Sequence, residues 1–141
     1  MHSTLTPLIL VVDDEALIRE MEMRILQHAG YRVMEADGGT AALATLAQGV
    51  SPDLVIADLD MPDLPGEEMV KSIHAARPKQ KVLYVTGNID RLLNVRSLVW
   101  EGEAFLDKPF SAKGLLEAVS LLLTGSLRGA TDAASSFGGR R

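Results

Sequence analysis

The chain contains no cysteine, which rules out disulfide bonds, thiolate catalysis and Cys-ligated zinc. It has no excess of basic residues: 14 Lys and Arg stand against 19 Asp and Glu, a formal charge of −5. That balance argues against a general nucleic-acid or acidic-membrane surface, so neither nucleic acid nor a membrane is an expected direct partner. No apolar run approaches the roughly 18 to 20 residues that cross a bilayer. The opening "MHSTLTPLILVV" has neither a basic leader region nor a long apolar one and makes a poor signal peptide, so the expected location is cytoplasmic. The three histidines, His2, His28 and His74, are scattered without metal-ligand spacing and read as surface residues.

What is present fits one globular domain of 141 residues, 47% hydrophobic, long enough for a single sizeable core. Short apolar or β-branched runs, "LILVV" (8–12), "YRVMEA" (31–36), "DLVIA" (53–57), "KVLYVT" (81–86) and "EAFLD" (103–107), predict five strands. Several are continuously apolar, as strands covered on both faces are. Helical patterns lie between and after them. Residues 15–29 space Leu17, Ile18, Met21, Ile25 and Ala29 by threes and fours before Gly30 stops the helix. Residues 39–48, 66–76, 89–100 and 112–123 supply four more, with Ser111 placed to cap the last. Met21, Met23 and Met34 read as packing residues. Trp100, near the end of the fourth helix, suits either the core or a contact surface.

Five β–α repeats predict a doubly wound parallel sheet with helices on both faces, an α/β fold. The domain is expected over 1–124, with its core at about 7–124. Beyond it, "GSLRGATDAASSFGGRR" (125–141) has no periodicity and reads as a flexible tail too short for a helix-turn-helix.

In an open sheet of this kind, ligands bind outside the carboxyl ends of the strands. The first strand ends in Asp13, Asp14 and Glu15, the third in Asp58, the fourth in Thr86 and Gly87, and the fifth in Asp107, Lys108 and Pro109. Carboxylates from two strands can supply hard oxygen ligands to Mg²⁺. One of them can attack a phosphoryl group, and the hydroxyl and ammonium can hold its oxygens. Asp14 also has a plainer reading, as cap of the first helix.

These residues resemble a known family. "VVDDE" (11–15), "DLVIADLDMPDLPG" (53–66), "VLYVTG" (82–87) and "FLDKPF" (105–110) are similar, in that order and on those strand ends, to the receiver domain of two-component response regulators, the CheY-like fold with strand order 2-1-3-4-5. The resemblance covers about residues 7–124. It implies that Asp58 is the phosphoacceptor and that Asp14 and Asp58 bind Mg²⁺ directly. Asp13 would act mainly through a metal-bound water, and Asp60 through its backbone carbonyl. Thr86 and Lys108 would bind the phosphoryl oxygens, with Pro109 following a cis peptide. Phe105 would be the aromatic switch coupled to Thr86. Asp60 and Asn88 occupy positions that tune the lifetime of the phosphoryl group, and Asp63 is left as a solvated loop residue.

The implied partners are a histidine kinase or histidine phosphotransfer protein and a downstream protein on the face of the fourth helix, fifth strand and fifth helix. The implied role is a switch that catalyses only its own phosphorylation and dephosphorylation. Either a single-domain regulator or the receiver of a hybrid sensor kinase fits. "WEGEAFLDKPF" is one residue shorter before Lys108 than the commoner spacing, which makes that face the least standard part of the match. Two rivals compete for "DLDMPDLPG". A calcium loop fails because Pro62, Asp63 and Met69 stand where an acid or amide, Gly and Glu are required. A haloacid-dehalogenase-type phosphohydrolase using Asp58 as nucleophile fits the D-x-D spacing but leaves "VVDDE" without a purpose.

Overall fold

The computed structural model describes residues 6–87 and 103–125. Its elements run β1 (Leu8–Val12), α1 (Ala16–His28), β2 (Arg32–Ala36), α2 (Gly39–Ala47), β3 (Leu54–Asp58), α3 (Gly66–Ala76), β4 (Val82–Thr86), β5 (Glu103–Asp107) and α4 (Ala112–Thr124). The helix expected over 89–100, with Asn88 and Trp100, lies outside the described residues, as do His2 and nearly all of the expected tail.

All five strands are parallel, in the order β2-β1-β3-β4-β5. Because strand side chains alternate, one run of residues feeds two cores. Leu10, Val12, Val55, Ala57, Val82 and Tyr84 pack against Ala42, Leu46, Met69, Val70 and Ile73 of α2 and α3. Their neighbours Ile9, Val11, Leu54, Ile56, Leu83 and Val85 pack against Leu26 of α1 and Leu115, Ala118, Val119 and Leu122 of α4. The central strands β3 and β4 are buried at every residue, as their unbroken apolar sequences require.

The helix ends follow local chemistry. Gly30 adopts φ +100° after α1, a conformation costly for any residue with a Cβ. Ser111 Oγ accepts from the Gly114 N–H and caps α4. Asp14 does not cap α1; the Glu15 N–H donates instead to Asp13 Oδ1 at 2.9 Å.

The expected face of α1 is buried only in part, with Ile25 packed and partly buried on the sheet. Leu17 is 80% and Met21 40% exposed, and Ala29 is exposed, whereas Glu22 and Leu26 are buried. Met21, and Met34 on the edge strand β2, are therefore exposed rather than packed; Met23 does pack, partly buried, on the α1 side of the sheet.

Candidate functional site

The same alternation that divides the core positions the site. Asp13 continues Ile9 and Val11 on the α1 face, and Asp58 continues Leu54 and Ile56. Lys108 continues Ala104 and Leu106 on that face, just past the end of β5. Side chains from three strands therefore meet at the carboxyl edge of the sheet. Lys108 Nζ donates to Asp58 Oδ1 at 3.2 Å and lies 3.9 Å from Asp13 Oδ2. The Lys108–Pro109 peptide is cis.

Asp13 and Asp58 are 1% and 2% exposed, so their charges are held out of water. Burial, and then the neighbouring Asp58 carboxylate, push the Asp13 carboxyl up to about 7 against the opposing pull of the Glu15 N–H and Lys108. Burial works against the Lys108 ammonium, but Asp58 and Asp13 outweigh it and hold the group above its ordinary value. The Asp60 N–H donates to Asp58 Oδ1 at 3.0 Å. Asp58 Oδ2 and Asp13 Oδ2, also buried, have no hydrogen-bond partner. Carboxylate oxygens of Asp13, Asp14 and Asp58 lie within 4.8 Å of one another. Three hard oxygen donors so close, with two buried oxygens unsatisfied, fit a divalent cation.

On the opposite face, at the end of β4, Thr86 is fully buried. Its hydroxyl donates to the Asp60 carboxylate, 2.8 Å from Oδ2 and 3.0 Å from Oδ1, and the Gly87 N–H approaches Oδ2 at 3.3 Å. The Lys108 N–H donates to the Thr86 carbonyl at 2.9 Å, tying β5 to β4 at the site. Phe105, on the Thr86 side, stacks on Tyr84 with ring centroids 5.3 Å apart. The loop after β3 turns tightly into α3: a Cβ on Gly66 would meet the Asp58 carbonyl oxygen at 2.6 Å.

Of the residues read as functional, the structure gathers Asp13, Asp14, Asp58 and Lys108 into one cluster. It joins Thr86 to the cluster through Asp60 and places Phe105 beside Tyr84. Asn88 lies outside the described residues. Three participants were not legible as such. Arg19 donates to the Asp13 carbonyl at 2.8 Å and to Glu35 at 2.7 Å, pinning the loop after β1. Glu22, 1% exposed, has both carboxylate oxygens buried without partners; its spacing of four from Ile18 and from Leu26 was the available signal. Asp63 is not merely solvated, because its Oδ2 accepts from the Thr40 N–H at the start of α2, and that bond holds its carboxyl below the usual range.

Comparison with known proteins decides the family. The profile of the response regulator receiver domain matches residues 9–120. The chain belongs to this family. The receiver is 33% identical over 117 residues to the sensor kinase CckA of Brucella abortus, covering 82% of this chain but 12% of that kinase. It is 29% identical over 113 residues to the chemotaxis protein CheY of Thermotoga maritima, covering 79% of this chain and 93% of that one. Among solved structures, the response regulator TrrA of Thermotoga maritima, described in complex with Mg²⁺ and BeF, superposes with a TM-score of 0.76 at 33% identity, covering 84% of this receiver and all of that chain. The haloacid-dehalogenase alternative finds no support. Among the described residues no helix is long and apolar enough to cross a membrane.

Proposed function

We propose that this receiver is a phosphoacceptor switch, with Asp58 taking a phosphoryl group from a phosphohistidine of a histidine kinase or phosphotransfer protein. The observation that carries this reading is the buried Asp58 carboxylate with Lys108 Nζ at 3.2 Å and Asp13 beside it. A carboxylate oxygen of Asp58 attacks phosphorus, the phosphorus–nitrogen bond breaks, and the histidine nitrogen takes a proton. Water later attacks phosphorus, the aspartyl oxygen leaves, and inorganic phosphate is released. Lys108 and the Thr86 hydroxyl bind phosphoryl oxygens and so favour the charge that develops on them. Mg²⁺ held by Asp13, Asp14, Asp58 and the Asp60 carbonyl would screen the phosphoryl charge from the crowded carboxylates. The chemistry is self-directed, so the receiver turns over no separate substrate.

Thr86 and Phe105 couple the phosphoryl group to the face that includes β5 and α4, which meets the output partner and biases a two-state equilibrium. The exposed apolar residues Leu17 and Met21 of α1, on the helix that follows Asp13–Asp14, offer the contact to the phosphodonor. Both a single-domain regulator and a hybrid-kinase receiver suit this reading, and it places the chain in the cytoplasm.

The test is intact-mass analysis after incubation with Mg²⁺ and a small acyl phosphate. One labile phosphoryl group is expected on the parent and none on Asp58→Asn. Steady multiple turnover of a phosphomonoester overturns the proposal.

A further inference from the structure

The Asp60 carboxylate occupies one of the donors that the proposed reaction needs, the Thr86 hydroxyl. It accepts from the Thr86 hydroxyl through both oxygens, at 2.8 and 3.0 Å, and from the Gly87 N–H at 3.3 Å. It also lies close enough to Lys108 to attract the ammonium. Meanwhile its own backbone N–H is fixed on Asp58 Oδ1, two residues away. A carboxylate is a planar anion with two acceptor oxygens, and hydrogen bonds to it are stronger than neutral ones. A phosphoryl group on Asp58 would present anionic oxygens to the same hydroxyl and ammonium. Thr86 is buried, and its single hydroxyl proton serves one strong acceptor at a time.

We propose that Asp60 is an internal competitor for the phosphoryl group, a latch that holds Thr86 in the resting position and must be displaced before Thr86 closes on phospho-Asp58. This rests on the phosphoacceptor reading and adds a positioning residue to it. Asp60 retards loading by keeping Thr86 engaged, and it recaptures the hydroxyl when phosphate leaves. Simple repulsion between Asp60 and the incoming anion would also slow loading, but it would not require the Thr86 hydroxyl. The two are separable.

The experiment is a double-mutant cycle on the loading rate with a small acyl phosphate and Mg²⁺, using Asp60→Ala, Asp60→Asn and Thr86→Ala. The latch predicts that Asp60→Ala loads roughly tenfold faster than the parent, equivalent to about 1.4 kcal/mol in the barrier, with Asp60→Asn between. In the Thr86→Ala background the Asp60→Ala gain is expected to shrink to a small residue. A metal-free readout accompanies it: the Gly87 amide should lose hydrogen-exchange protection in Asp60→Ala. A gain of equal size in both backgrounds assigns the effect to repulsion and overturns the latch, as does a loading rate unchanged by Asp60→Ala. If neither the parent nor any Asp60 variant takes up a phosphoryl group, the phosphoacceptor reading itself fails, a result distinct from loss of the latch.

Discussion

Glu22 is the residue whose chemistry runs most against its surroundings. It sits on α1, 1% exposed, one turn before Leu26, which packs in the core on that side of the sheet. Burial pushes its carboxyl up to about 8, with Asp13 and Asp58 adding to the shift and Lys108 opposing it. The unfolded chain releases this proton near the ordinary value of 4.5, whereas the folded chain keeps it to about 8. The group's contribution is therefore fully present below pH 4.5 and is lost as pH rises towards 8. In metal-free buffer, urea melts at stepped pH should show parent stability declining across that window, and Glu22→Gln should flatten part of the decline. Glu22→Leu, which suits the apolar neighbours, should raise stability at pH 8 by a few kcal/mol, about 5 at most. A parent curve that the Gln variant reproduces would assign the slope to other groups.

At the scale of elements, the sequence is legible where one pattern dominates and ambiguous where two compete. The five strands fall within one residue of their expected bounds because each is a continuous or nearly continuous apolar run between polar breaks. Helix α1 carries apolar side chains at Leu17, Ile18, Met21, Met23, Ile25 and Leu26, more than half its circumference. Periodicity then identifies a helix without saying which flank the sheet covers. The structure covers Leu26 and leaves Leu17 outside, so the two positions should answer differently to change. Leu26→Ala should cost about 2 to 5 kcal/mol as a core truncation, whereas Leu17→Gln should stay within about 0.5 kcal/mol. Equal losses in thermal melts would contradict the observed face. The Asp63 bond to Thr40 is hidden for another reason: it joins the loop after β3 to the start of α2, 23 residues away, and no local pattern encodes that distance. Asp63→Ala should loosen the start of α2, seen as faster amide exchange at Thr40, with a stability cost below about 1 kcal/mol because the carboxylate is exposed.

For the whole molecule, the carboxyl edge of the sheet is a place where function opposes stability. The site residues could be read in the sequence because topology brings the ends of β1, β3, β4 and β5 together, and those ends carry the polar residues among apolar runs. Their energetic state could not be read, since it depends on burial: Asp13 Oδ2 and Asp58 Oδ2 face each other's charge with no hydrogen bond to offset it. Without a cation, the raised Asp13 carboxyl makes stability depend on pH in the same direction as Glu22 does, with its contribution present below pH 3.8 and lost as pH rises through about 7. A bound divalent cation favours the ionised carboxylates and should remove this dependence. Mg²⁺ at a hundred times its dissociation constant should stabilise the fold by about 2.7 kcal/mol. For a domain of this size that raises Tm by roughly 10 °C, measured by calorimetry at pH 7.5 against a chelator-treated control. Asp13→Asn should start from a higher Tm in chelator, because one of two adjacent buried charges is gone, and should respond less to Mg²⁺. If parent and variant gain equally from the cation, the stabilising site lies elsewhere on the molecule. If neither gains, the acidic edge does not bind the ion in the range tested, and the crowding of Asp13 and Asp58 is relieved by protonation alone.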